Sequence, residues 1–207
     1  TEASPGTKLL SISGDCDKPG IYEIPFGMTI AEILDRCGAS DTQAVQVAGP
    51  AGIMLAPGEF GRKIAYEDVP TGGSFMVFDT SRDLLAAARN FMDFFVHESC
   101  GFCTPCRVGT TLVNKLLEKI GSGHGTTVDL EAVQRMASVM RNTSHCGLGA
   151  TAANPAVHLI EQFPTMLYER LRHTSFEPSF DLDAALEEAR QATGRNDPGA
   201  HLQGGGV

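Results

Sequence analysis

The sequence predicts an α+β chain, a small mixed sheet with one helix packed across it followed by a bundle of four helices. Three observations predict this. Over residues 8–79, short apolar runs alternate with Gly- and Pro-rich turns, which is how strands punctuate a sequence. Beyond Asp79 apolar residues recur at three- and four-residue intervals, the period of helices that bury one face. Three cysteines, Cys100, Cys103 and Cys106, then fall in a break between two such helical stretches, and Cys146 falls in a later one.

Residues 1–7 are polar, contain Pro5 and Gly6, and read as a linker. Lys8–Ser13 and Ile21–Ile24 flank Gly14-Asp15 and Lys18-Pro19-Gly20 and form a hairpin pattern. Thr29 and Glu32 have the spacing of a capping box for a helix with Ile30, Ile33, Leu34 and Cys37 on its apolar face and Gly38 at its end. Ala44–Ala48 and Ser74–Phe78 supply two further strands, the second with buried character. Cys16 and Cys37 have no partner at ligand spacing and are expected to be structural thiols.

The helical region is expected over 80–173. Ser81 is the expected cap of a helix reaching about Val96, with Leu84, Leu85, Ala88, Phe91, Met92 and Phe95 inward. Packing alone demands that spacing, so the aromatic residues read as core and not as a cofactor box. Thr104-Pro105 combines a hydroxyl cap with proline at the first helical position, and Leu112, Val113, Leu116, Leu117 and Ile120 continue that helix to the Gly121–Gly125 break. Asp129 is the expected cap of the third helix. Asn154-Pro155 opens the fourth, and Pro164 breaks or kinks it before Leu171. Short connections make this a bundle whose loops carry the chemistry. From 174 to 207 the chain is an acidic tail with a short helix over Leu182–Thr193; its end, from Asn196, is Gly-rich, expected to be disordered alone, and expected to lie on a partner subunit.

The C-x2-C-x2-C run with one remote cysteine is how thiolates surround a cuboidal inorganic core, three from a tight loop and the fourth from elsewhere. Cys100, Cys103, Cys106 and Cys146 are therefore the candidate ligands of a [4Fe-4S] cluster. A bacterial ferredoxin run would place its fourth cysteine where Thr110 stands. Structural zinc sites pair C-x2-4-C with a second pair or with two histidines, and no second pair occurs. A Cys3His zinc site using His97, His124 or His145, and a set of buried thiols or disulfides, stay open on spacing alone. Cys106 would lie in the first turn of its helix, where free N–H groups and the positive dipole end favour a thiolate. Arg107 either offsets the negative charge there or is a solvated surface arginine, and His145 is a hydrogen-bonding neighbour before it is a ligand.

A formal net charge of −9 argues against nucleic acid or an anionic membrane surface as partner. No apolar run approaches the length of a membrane span, and the N-terminus shows no secretory signal. Thiolate ligands without a disulfide framework fit a reducing compartment, so a cytoplasmic location is expected. Thr1 in place of Met points to a piece of a longer protein. No Ser/His/Asp or paired-carboxylate arrangement calls for acid–base catalysis.

ESCGFCTPCRVGT with a downstream HCGLG resembles the C-terminal part of the NADH-binding flavoprotein subunit family of complex I. Related diaphorase subunits of NAD-reducing hydrogenases and NAD-dependent formate dehydrogenases share the resemblance, which covers about residues 8–172. FVHESCGFCTPCRVG is most like the large diaphorase subunit of the hydrogenases. KLLSISGDCDKPGIYE and GGSFMVFD resemble, more loosely, that family's SLBB module, a ubiquitin-like β-grasp. The resemblance implies that the four cysteines ligate a [4Fe-4S] cluster that relays single electrons between an FMN reduced by NADH and the next iron–sulfur cluster, within a multi-subunit redox complex. In the family the FMN and NAD sites lie on a domain with a glycine-rich loop that precedes the SLBB module. Nothing like it occurs here, since Gly204-Gly205-Gly206 neither follows a strand nor opens a helix. This chain alone is expected not to oxidise NADH.

Overall fold

The computed structural model describes residues 1–172 and 182–195. Five strands, β1 (Thr7–Gly14), β2 (Gly20–Pro25), β3 (Thr42–Val47), β4 (Ile53–Leu55) and β5 (Ser74–Asp79), form one sheet in the order β2-β1-β5-β3-β4. β5 inserts between β1 and β3. It runs parallel to β1 and antiparallel to β3, so the sheet is mixed, as expected of a β-grasp arrangement. β4 and a 3-10 turn at Pro57–Glu59 lie in a stretch where the sequence showed no element. Three residues are too few for alternation to be visible.

Helix α1 (Ile30–Cys37) crosses one face of the sheet. Its ends are as the sequence predicts. Thr29 and Glu32 close the capping box, with the Thr29 N–H donating to Glu32 Oε2 at 2.8 Å, and Gly38 adopts the left-handed conformation (φ +68°) that lets its N–H reach the last carbonyls. Ile30, Ile33, Leu34 and Cys37 are buried there against Leu10, Ile12, Ile24, Val45, Phe75 and Val77. The Cys37 thiol donates to the Leu34 carbonyl at 3.3 Å, and burial, with Cys16 alongside, pushes it up to about 11. Both cysteines behave as structural thiols.

Successive strand residues face opposite sides. While Phe75 and Val77 meet α1, Met76 and Phe78, with Ala44 and Met54, meet the helices on the other face. Those helices are α2 (Leu84–Glu98), α3 (Thr104–Gly121), α4 (Thr127–Thr143), α5 (Gly147–Thr151), α6 (Asn154–Gln162) and α7 (Pro164–Tyr168). α2 packs on α3, α3 on α4, α4 on α6 and α6 back on α2, which closes a four-helix ring. Its core is Leu84, Leu85, Ala88, Met92, Val113, Leu117, Ile120, Val133, Met140 and Leu159. α6 is also the bridge to the sheet. It packs on β4, Asn154 Nδ2 donates to the Ala51 carbonyl at 2.7 Å, and the Met54 N–H donates to His158 Nδ1 at 3.4 Å.

Four helix starts differ from expectation, each for a local reason. Asp83, not Ser81, caps α2: its Oδ1 accepts from the N–H groups of Leu85 and Ala86, while Ser81 turns back to Asp79. Cys103 holds the N-cap place of α3, and Thr104 is the first helical residue. Thr126 caps α4, and Asp129 is the third residue of its capping box, where it also pairs with Lys119 at 3.0 Å. Asn154 lies just inside α6, where its amide donates to the Ala51 carbonyl in the turn between β3 and β4. α8 (Leu182–Thr193) matches the expected tail helix; the expected disorder and partner contact from Asn196 fall outside the described residues. Among the described residues no helix is long and apolar enough to cross a membrane.

Candidate metal centre

Two loops at one end of the helical ring carry the cysteines. In the first, α2 stops at Glu98, Ser99 turns extended, and Gly101 takes a positive φ of +76° that reverses the chain. The Arg107 guanidinium holds this turn down by donating to the Gly101 carbonyl and, at 3.4 Å, to Thr104 Oγ1. Arg107 is thus a tether for the cysteine loop and not merely a solvated cation. Pro105, the second residue of α3, wastes no N–H there, and Cys106 falls in the same first turn.

The second loop follows α4. Ser144 is its extended C-cap, and Cys146 stands at the N-cap position of α5, a five-residue helix that the sequence did not reveal. α5 packs on both α3 and α4. It comes this close because position 149 is glycine: a Cβ there would lie 2.5 Å from Ser144 Oγ and 2.8 Å from Cys106 Cβ. A parallel economy lets α3 approach α4, where a Cβ on Gly109 would lie 2.5 Å from Met140 Cγ. Phe102 of the first loop meets His145 of the second edge to face, with ring centres 5.3 Å apart.

All four candidate cysteines are brought together. Cys100, Cys103, Cys106 and Cys146 line one cavity of about 110 Å³, together with Glu98, Ser99, Phe102 and Leu148. Cys106 is buried, Cys103 half-buried, and Cys100 and Cys146 exposed, so the cavity has an inner and an outer side. Among the described residues no three metal-binding side chains converge on a single point; the thiols are arranged round a space. His97 and His124 do not line this cavity, and His145 is present through its ring contact with Phe102.

The residues present suit a thiolate-held iron–sulfur cluster. The Cys103 thiol is held below its ordinary range by the backbone N–H of His145 first and then that of Cys106, which outweigh its burial; the Ser144 hydroxyl adds a smaller effect. Ser144 Oγ nevertheless lies outside true hydrogen-bonding geometry and is a buried polar atom without a partner at the edge of the site. Ser99 Oγ lies 3.3 Å from Cys106 Sγ. Donors aimed at sulfur, an orphaned hydroxyl and a largely apolar space are what an anionic sulfur-rich group would use. Ser99, Ser144 and Gly149 are the residues that sequence reasoning missed. Only the glycine carried a signal, through its place in HCGLG.

Residues 86–170 match the family model described as the NADH-ubiquinone oxidoreductase-F iron-sulfur binding region. All four cysteines fall inside that match. The chain is 45% identical over 189 residues to the NAD-reducing hydrogenase HoxS subunit alpha of Cupriavidus necator, covering 90% of this chain and 31% of that protein. It is 32% identical over 174 residues to the NADP-reducing hydrogenase subunit HndC of Solidesulfovibrio fructosivorans, covering 79% and 36%. In structure it is similar to a chain of the NAD+-reducing [NiFe]-hydrogenase in its H2-reduced state, with a TM-score of 0.81 and 45% identity over 95% of this chain and 35% of that one. The chain therefore spans about a third of the length of the relatives it matches. Residues 86–170 therefore form a domain of the NADH-ubiquinone oxidoreductase-F iron–sulfur binding region, a family that binds a [4Fe-4S] cluster.

Proposed function

We propose that Cys100, Cys103, Cys106 and Cys146 are the four ligands of the [4Fe-4S] cluster, and that this chain is the iron–sulfur relay of an NAD-reducing hydrogenase diaphorase. The observation that carries the reading is the convergence of all four thiols, from two distant loops, on one cavity within the matched region. When bound, such a cluster takes up and releases one electron at a time. The protein's part is to hold it. Phe102 and Leu148 give the space apolar walls, backbone N–H groups favour the Cys103 thiolate, and Arg107 fixes the loop. The exposed Cys100 and Cys146 put one side of the site within reach of a neighbouring redox centre.

FMN and NAD belong, on this reading, to a part of the subunit outside this chain, and the electrons pass on to the iron–sulfur subunits of a multi-subunit complex. The sheet over residues 8–79 serves as the SLBB-like module and residues 80–173 as the cluster-binding bundle, in a cytoplasmic assembly. The 45% identity to HoxS subunit alpha supports the hydrogenase branch over complex I, since the NADH-quinone oxidoreductase relative from Mycobacterium tuberculosis is 34% identical. The test is Cys146→Ser in anaerobically purified protein. Loss or conversion of the cluster's EPR signal is expected, and an unaltered signal would remove Cys146 from the ligand set.

A further inference from the structure

Ser99 places a hydroxyl in direct contact with a candidate ligand sulfur. Its Oγ lies 3.3 Å from Cys106 Sγ, the most deeply buried of the four thiols. Between a hydroxyl and a thiol either atom can donate. Once Cys106 is a thiolate it has no proton to give, so the hydroxyl must be the donor. The geometry of the serine supports that direction. The Gly101 N–H already approaches Ser99 Oγ as a donor at 3.4 Å, which occupies a lone pair and leaves the hydroxyl proton free for the sulfur. The position is also fixed, because Ser99 is the C-cap of α2 and its own N–H donates to the Phe95 carbonyl at 3.1 Å.

We propose that Ser99 sets the reduction potential of the cluster by donating a hydrogen bond to Cys106 Sγ. This rests on the ligand assignment above. Reduction adds one electron and makes the ligand sulfurs more negative, so a fixed donor stabilises the reduced form more than the oxidised form. The proton stays on Ser99 throughout. The contact is strengthened by its low-dielectric surroundings, since Cys106 is only 5% exposed. Ser99 is a positioning residue: it acts on electron transfer only through the sulfur it touches.

The experiment is an EPR-monitored redox titration of the anaerobically purified chain as wild type, Ser99→Ala and Ser99→Thr, with iron and sulfide measured in each. Ser99→Ala is expected to keep its iron and sulfide while the reduced-to-oxidised ratio at a given potential falls about tenfold, a 59 mV lowering for one electron. Ser99→Thr keeps the hydroxyl and should restore the wild-type midpoint. An unshifted midpoint in Ser99→Ala overturns the proposal, and so does an equal shift in Ser99→Thr. Loss of the cluster from Ser99→Ala overturns it as well, because a hydroxyl that tunes potential does not decide assembly. Absence of iron and sulfide from the wild type is a different result, which removes the ligand assignment itself.

Discussion

Gly149→Ala tests how the second loop delivers Cys146 to the site. The added methyl would lie 2.5 Å from Ser144 Oγ, 2.7 Å from Ser144 Cβ and 2.8 Å from Cys106 Cβ. Carbon atoms in contact prefer roughly 3.5–4.0 Å. Two of the three obstructing atoms are Cβ atoms fixed to the backbone, so side-chain rotation gives no relief, and α5 must move away from α3. Overpacking of this kind costs about 1–3 kcal/mol. Alanine returns up to about 1 kcal/mol through its better helix propensity. Three contacts under 3.0 Å place the cost in the upper part of the overpacking range, so the net loss is about 1–2 kcal/mol, or roughly 2–8 °C in the melting temperature of a chain this size. Because Cys146 begins α5, the same displacement carries its sulfur away from the other three. Thermal unfolding of the cluster-free protein should show the first effect, and iron content after reconstitution the second. Gly147→Ala is the control: the same short helix, with nothing within 4 Å of the added methyl. Wild-type stability and full iron loading in Gly149→Ala would refute the reasoning.

The other predictions concern the scaffold. Burial lowers the His158 imidazole below its ordinary value of 6.5, so the folded chain prefers it neutral while it accepts the Met54 N–H. The unfolded chain takes up a proton as the pH falls through about 6.5. Stability is therefore complete above that pH and declines below it until the folded group titrates too; urea unfolding of His158→Gln across pH 5–8 should lack that slope. Burial alone would raise the Asp129 carboxyl, but Lys119 and the Thr126 N–H and hydroxyl outweigh it and hold it low. Asp129→Ala should cost about 1–2 kcal/mol through loss of the box at the start of α4, and an unchanged urea midpoint would contradict this. Arg107→Ala should leave the fold intact while loosening the cysteine loop, seen as faster iron loss to a chelator; an unchanged rate would mean that the guanidinium contact with Gly101 is incidental.

Much of this was legible in the residues, and the rest was hidden for physical reasons. The four cysteines announce themselves because cluster ligation needs one residue type at one spacing. α1 could be read end to end because Thr29, Glu32 and Gly38 each have a single local role. The starts of α2 and α4 were misplaced by two or three residues because Ser81, Asp83, Thr126 and Asp129 are all competent caps, and only the tertiary setting selects among them. β4 is too short to show alternation, and α5 too short to show a helical period. Ser99, Ser144 and Gly149 stayed invisible because a hydroxyl or a missing Cβ acquires its role only from what another loop places beside it.

The central claim is that four thiolates surround an iron–sulfur core, and iron, zinc and acid-labile sulfide analysis of the anaerobically purified chain tests it most directly. The account predicts about four iron and four sulfide per chain. Zinc with no sulfide would contradict it.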